Sequence, residues 1–244
     1  MKVLIVDDER PARERLQNLI SAFSGYEICA AAANGVEALQ LTQRLSPDIV
    51  LMDIRMPGMD GLEAARHLSM LDAPPAVIFI SAYDDRALEA FETQAMDYLV
   101  KPVHRKRLEQ ALLNTHRLNR AQLSRLDIAS NKTLSRSHIC ARLGNNLELV
   151  SIENVLYFQA DQKYVSVRHL AGEIIIEESL KSLSEEFELL FLRIHRNALV
   201  AKAHIAGLEK TNDNQYYIVF KNSDERLLIS RRHLASVRQS LKTQ

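Results

Sequence analysis

Five short apolar runs, at residues 3–6, 27–31, 49–52, 77–80 and 98–100, each precede a stretch with helical periodicity. This alternation constrains the first half of the chain more than any other feature. Val3-Leu4-Ile5-Val6 leads into a helix with Pro11 in its first turn and Leu16, Leu19, Ile20 and Phe23 on one face. The second run is followed by a helix opened by Asn34, with Glu37 at capping-box spacing. The third helix carries Leu62, Ala65 and Leu68, the fourth Ala87, Leu88 and Phe91, and the fifth Leu108, Leu112 and Leu113. Five strand-then-helix units predict a parallel sheet wrapped by helices, an α/β fold, because parallel neighbours need crossover connections.

A parallel sheet gathers the carboxyl ends of its strands on one edge, where ligands bind. Asp7 and Asp8 stand at the end of the first run, Asp53 at the third, Ser81 at the fourth and Lys101-Pro102 at the fifth. Pro57-Gly58 and Asp60-Gly61, just after Asp53, read as turns. Singly, each residue has an ordinary alternative: Asp7, Asp8 and Ser81 as helix caps, Asp53 as a cap or turn former, Lys101 as a solvated cation. Jointly, three carboxylates repel unless a cation offsets them, and an all-oxygen acidic site with few protein ligands suits Mg²⁺. A divalent ion, one fixed ammonium and one hydroxyl are also what holds a transferring phosphoryl group, which makes Asp53 the candidate nucleophile for an acyl phosphate.

At 244 residues the chain is long enough for two domains, and its 47% hydrophobic and 25% charged residues are those of an ordinary globular protein. The net charge of +0 conceals an asymmetry: residues 1–120 carry 14 Lys+Arg and 17 Asp+Glu (14 − 17 = −3), and residues 121–244 carry 17 and 14 (17 − 14 = +3). This permits a polyanionic partner for the second half. Cys29 and Cys140, in different halves and apolar surroundings, predict buried thiols in a reducing compartment. No apolar run approaches the length of a signal peptide or a membrane span, so the expected location is the cytoplasm.

Val6-Asp7-Asp8-Glu9, Asp53 with Met56-Pro57-Gly58-Met59-Asp60-Gly61, Ser81-Ala82, and Asp97-Tyr98-Leu99-Val100-Lys101-Pro102 together resemble the receiver domain of two-component response regulators, over residues 1–120. The resemblance implies a flavodoxin-like, doubly wound five-stranded sheet and phosphorylation of Asp53 by a histidine kinase. It further implies Mg²⁺ held by Asp8, Asp53 and the backbone carbonyl of Arg55, with Asp7 assisting. Ser81 and Lys101 are then the phosphoryl contacts, Tyr98 is the switch residue, and the Lys101-Pro102 peptide is cis. Ser81 stands where Thr is commoner, which keeps the hydroxyl and removes a methyl group.

Residues 121–135, with Ser124, Ser130 and Ser135 among polar residues, break the alternation and read as a linker. From 136 onward the texture changes to short β-branched and aromatic runs, at 155–158, 164–167, 174–176, 216–220 and 227–229, with turns at 144–146, 171–172 and 212–214. This predicts mainly antiparallel sheet. One helix carries Leu180, Leu183, Phe187 and Leu190; a second, capped by Ser230, carries Leu234, Val237 and Leu241. Basic and polar residues fall in the loops Gln162-Lys163, His195-Arg196-Asn197 and Arg231-Arg232-His233, with side chains able to bond base edges and phosphates or simply to face solvent.

The order Asp161-Gln162-Lys163-Tyr164-Val165, helix, Phe191-Leu192-Arg193-Ile194-His195-Arg196-Asn197-Ala198-Leu199-Val200, then Ile229-Ser230-Arg231-Arg232 resembles the LytTR DNA-binding domain of the LytR/AlgR family, nearest to AlgR-type regulators, over about residues 136–241 of a domain expected to span 136–244. The resemblance implies that Lys163, Arg196 and Arg232 read bases, with His195, Asn197 and Arg231 as phosphate or structural contacts. Ala201 in place of a common Asn, and Lys163 in place of a His found in some members, alter the expected target sequence. The whole reads as a transcription regulator acting on promoter DNA, not as an enzyme beyond its own phosphorylation and dephosphorylation, and forming a homodimer on phosphorylation or on DNA. The family dimer uses the receiver's fourth helix, fifth strand and fifth helix. Two other classes compete: an aspartate-nucleophile phosphatase, which resembles Asp-x-Asp at the first strand where this chain has Asp8-Glu9-Arg10, and a protein-interaction output that binds no DNA.

Overall fold

The computed structural model describes residues 1–82, 98–114, 136–143, 146–221 and 223–242. The linker at 121–135, the helix expected around Ala87, Leu88 and Phe91, and the turn residues Gly144 and Asn145 lie outside the described residues. The chain divides into two compact units, Met1–Leu134 with Arg142–Leu147, and Ser135–Ala141 with Glu148–Gln244.

In the first unit β1 (Lys2–Val6), β2 (Glu27–Ala32), β3 (Ile49–Asp53), β4 (Ala76–Ser81) and β5 (Tyr98–Val100) form one parallel sheet in the order β2-β1-β3-β4-β5. This is the flavodoxin-like order, with its switch point beside β1 and β3. Val3, Ile5, Ile49, Leu51, Ile78 and Ile80 pack in one cluster with Leu16 and Ile20 of α1 (Arg10–Ile20) and with Leu108 and Leu112 of α4 (Arg105–Asn114). Leu4, Val50 and Met52 are fully buried as well, so β1 and β3 are covered on both faces. Runs that are apolar at every position suit such strands, where alternating runs would not.

Helices α2 (Gly35–Leu45) and α3 (Gly61–Ser69) both begin on side-chain caps: Asn34 Oδ1 accepts from the Glu37 amide at 2.8 Å, and Asp60 Oδ1 from the Glu63 amide at 2.7 Å. The Glu37 carboxylate turns back to accept from the Ala33 amide at 2.7 Å, a variant of the expected capping box. Asp60-Gly61 is therefore a helix start and not the turn its sequence suggested, since an Asp side chain can satisfy helix N-terminal amides as readily as its own turn. The core face of α3 also departs from expectation. Leu62 is half-buried, whereas Glu63 and His67 are buried, with His67 Nε2 3.7 Å from Glu63 Oε1.

The second unit is mainly β. Antiparallel strands β8 (Val155–Asp161), β9 (Tyr164–His169), β10 (Gly172–Ile176), β11 (Phe191–His195) and β12 (Ala198–Ala201) form a sheet in the order β10-β9-β8-β12-β11. One face meets β6 (His138–Leu143), β7 (Asn146–Ser151) and α5 (Leu180–Glu186) through Ile139, Val150, Phe158, Leu183, Phe187 and Leu199. Phe158, Phe187 and Phe191 pack together there with ring centroids 4.8–6.3 Å apart, the first two stacked and Phe191 tilted against both. The other face meets the sheet of β13 (Ile205–Lys210), β14 (Tyr216–Phe220) and β15 (Ser223–Leu228), and α6 (Leu234–Lys242), through Leu156, Ala198, Val200, Ile218 and Val237.

Two details overturn expectation here. Leu190 lies beyond the end of α5 and is 46% exposed, because the chain leaves the helix after Glu186. Ser230 does not cap the last helix: its hydroxyl pairs with His233 Nδ1 and its amide bonds the Ile194 carbonyl, and α6 begins only at Leu234.

Candidate functional site

Register brings the ends of the first sheet level: Val6 pairs with Met52, Asp53 with Ile80, and Ser81 with Val100. Asp7 and Asp53 are therefore neighbours on that edge, and the peptide between Lys101 and Pro102 is cis, as expected. The Lys101 ammonium lies between them, 2.7 Å from Asp7 Oδ2 and donating to Asp53 Oδ2 at 3.0 Å. Asp7 is fully buried and Asp53 is 6% exposed, so both carboxylates meet this cation at reduced dielectric. Burial pushes the Asp53 carboxyl up from its ordinary range, opposed by the hydrogen bond and charge of Lys101, with Asp7 pushing it further up. Burial works to lower the Lys101 ammonium, but its hydrogen bonds to Asp7 and Asp53 outweigh that and hold it above the ordinary lysine value.

Asp8 is exposed, and its carboxylate completes a cluster with Asp7 and Asp53 whose ligand oxygens lie within 4.8 Å of one another. Asp7 Oδ1 accepts from the Glu9 amide at 2.9 Å, while Asp7 Oδ2 is buried and faces the Lys101 ammonium 2.7 Å away. Three carboxylates gathered this closely, with one ammonium to offset them, form an all-oxygen donor set that fits a hard divalent cation such as Mg²⁺. The backbone amide of Arg55 bonds the Asp53 carboxylate, which sets the Arg55 peptide beside the cluster. Ser81 ends β4 on this edge, whereas Tyr98 opens β5 level with Phe79, two residues before the edge; the side chains of both lie outside the described part of the structure. Sequence reasoning missed Arg13, whose Nη1 donates to the Asp7 carbonyl at 2.7 Å and the Asp8 carbonyl at 3.1 Å. Its signal was a cation one turn into the helix that follows the acidic pair.

In the second unit the three basic loops stand at the ends of the central sheet and its neighbour. Lys163 is exposed in the β8–β9 turn beside Gln162, which adopts a positive φ of 51°. Arg196 is exposed in the β11–β12 turn, and Arg231 and Arg232 are exposed between β15 and α6. The structure ties these loops together. The Ala160 amide donates to the Asn197 carbonyl at 2.8 Å, the Asn197 side-chain amide donates to the Ala160 carbonyl at 3.4 Å, and the Ser230 amide donates to the Ile194 carbonyl at 3.0 Å. His195 Nδ1 pairs with Asn197 Oδ1. His195 and Asn197 are thus half-buried braces of the turn, and Arg196 between them is presented outward. Among the described residues no helix is long and apolar enough to cross a membrane.

Residues 3–113 match the response regulator receiver domain, and residues 145–242 match the LytTR DNA-binding domain. The chain is 50% identical over 243 residues to the positive alginate biosynthesis regulatory protein of Pseudomonas aeruginosa, covering 98% of each. It is 34% identical over 247 residues to the transcriptional regulatory protein BtsR of Salmonella typhi, covering 99% of each. It is 28% identical over 245 residues to the sensory transduction protein LytT of Bacillus cereus, again covering 99% of each. Likeness of this kind spans both units, so the chain belongs to the LytR/AlgR family of transcriptional response regulators, a receiver domain followed by a LytTR DNA-binding domain.

Proposed function

We propose that Asp53 accepts a phosphoryl group from the phosphohistidine of a sensor kinase and that this modification governs binding of residues 136–244 to promoter DNA. The observation that carries the reading is the Lys101 ammonium bridging Asp7 and Asp53 in an acidic cluster at the carboxyl edge of the sheet. An Asp53 carboxylate oxygen attacks phosphorus, the bond from phosphorus to the imidazole nitrogen breaks, and the imidazole leaves with the electron pair. Lys101, already at Asp53, offsets charge on the equatorial oxygens, and the Ser81 hydroxyl bonds one of them. Asp7, Asp8, Asp53 and the Arg55 carbonyl are the residues that hold Mg²⁺, which supplies charge neutralisation at the phosphoryl oxygens when bound. Hydrolysis of the acyl phosphate returns Asp53, so the only chemistry of this cytoplasmic protein is its own phosphorylation and dephosphorylation.

Lys163, Arg196 and Arg232 reach base edges, Arg231 reaches phosphate, and His195 and Asn197 hold the turn that carries Arg196. Phosphorylation favours a homodimer through the receiver face around Tyr98, the switch residue. With Mg²⁺ and acetyl phosphate the wild-type chain gains one acid-stable, hydroxylamine-labile phosphoryl group and Asp53→Asn gains none; equal labelling of both removes the assignment. A salt-sensitive shift of promoter duplex tests the output. A solution mass that does not change with an acyl phosphate mimic removes the dimer.

A further inference from the structure

The β11–β12 turn is held from inside its own strand. Arg193 Nη2 donates to the Arg196 carbonyl at 2.6 Å, and Arg193 Nε points to the His195 carbonyl at 3.4 Å. The strand pairing breaks register between Arg193 and His195: Arg193 pairs with Leu199 and His195 with Ala198, so Ile194 is the extra residue of a bulge. Ile194 is fully buried, and its carbonyl receives the Ser230 amide from the loop that carries Arg231 and Arg232. The bulge therefore sets where both basic loops begin. His233, in that second loop, is held below the ordinary histidine value, first by burial and then by the nearby cations Arg193 and Arg232 and by His195, which places Arg193 beside both loops.

From this geometry we infer that Arg193 is a positioning residue for sequence reading: its guanidinium fixes the carbonyls on either side of the Arg196 Cα, those of His195 and Arg196, and so aims the Arg196 side chain. A planar fork of donors spans two carbonyls at once, which a lysine ammonium on its flexible stem does not reproduce. Both carbonyls lie in a surface turn where water replaces a lost donor, so removing Arg193 loosens the turn without unfolding the domain. Base recognition needs the two donors of Arg196 aligned with one base, and that alignment is what a loosened turn loses. The inference rests on Arg196 reading a base, as proposed above.

The test uses the full chain and a duplex selected by that chain from a random-sequence pool, against a scrambled duplex, at several salt concentrations. Arg193→Gln and Arg193→Lys are expected to weaken binding to the selected duplex by about tenfold, to leave binding to the scrambled duplex and the salt slope unchanged, and to keep the wild-type melting temperature within about 2 °C. In an Arg196→Ala background, Arg193→Gln is expected to cost nothing further, since there is no side chain left to aim. Equal losses on both duplexes with a salt slope reduced by about one overturn the inference in favour of a direct phosphate contact. Losses that add in the double variant, or no loss from Arg193→Gln, also overturn it. If Arg196→Ala itself leaves discrimination intact, the reading of the turn as a base reader fails instead.

Discussion

A Cβ placed on Gly61 would lie 2.0 Å from the carbonyl oxygen of Asp53. The α3 N-terminus is thus seated directly on the peptide that ends β3, and the Gly61 amide donates to the Ile54 carbonyl at 2.9 Å to hold it there. The obstacle is backbone, so no side-chain rotation relieves it.

Gly61→Ala is expected to destabilise the receiver by about 3 kcal/mol through overpacking and to reduce labelling of Asp53, because the strand end must shift. Thermal unfolding and acetyl phosphate labelling check the two effects. An unchanged melting temperature would show that α3 recedes freely.

Arg136 binds two carboxylates at once, Glu178 through both Nη atoms at 2.9 and 2.7 Å and Glu186 through Nε and Nη2 at 2.9 Å each, with Phe187 beneath its guanidinium. Arg136→Met leaves the two glutamates facing each other without a cation. Because both retain some solvent, the expected loss is about 2 kcal/mol, below that of a fully buried pair. Adding Glu178→Gln and Glu186→Gln to Arg136→Met is expected to recover part of it, measured by urea unfolding.

Burial pushes the Cys140 thiol up to about 12, with Arg136 lowering it and Glu178 raising it to a smaller extent. The folded chain therefore holds the proton more tightly than the unfolded chain, in which the thiol titrates in the ordinary range. The associated stability is present below the ordinary thiol range and is lost as pH rises through it towards 12. At pH 8 iodoacetamide is expected to spare Cys140 in the folded protein and label it in urea, as read by peptide mass spectrometry. Labelling of folded Cys140 at the unfolded rate would contradict its burial.

The basic loops separate by signature. Arg196→Ala or Arg232→Ala is expected to lower affinity for the target duplex by roughly ten- to a hundredfold with little change on a scrambled one, as loss of a bidentate base contact does. Arg231→Ala is expected to weaken both duplexes alike and to reduce the slope of log K against log salt by about one. Fluorescence anisotropy over a salt series distinguishes them, and equal losses on both duplexes for all three would leave these loops as backbone anchors.

The first sheet was legible because strands buried on both faces must be apolar at every position, and Val3-Leu4-Ile5-Val6 and Ile49-Val50-Leu51-Met52 are. Asp7, Asp8, Asp53 and Lys101 were legible as a centre because parallel register leaves no other place for strand ends. The burial of Glu63 and His67 was not, since nothing in a helical period separates a polar residue that finds a partner inside from one that faces water. In the second unit, Ile205-Ala206-Gly207-Leu208-Glu209-Lys210 forms β13 although Ala, Gly, Glu and Lys are poor strand formers. Pairing with β14 decides it. Ser230 looked like a cap because its type suits one, but its hydroxyl is taken by His233 and its amide by the Ile194 carbonyl, a contact to a strand of the other sheet that no local pattern encodes.

The Asp7–Lys101 ion pair also has a consequence in time. Ribosomal synthesis runs from the amino end, so a nascent chain displays Asp7, Asp8 and Asp53 well before Lys101 exists. Until β5 docks beside β4, the acidic edge lacks its ammonium, and Asp53 is without the cation that completes its surroundings. On the role proposed for Asp53, competence to receive a phosphoryl group arrives with the last strand of the receiver sheet.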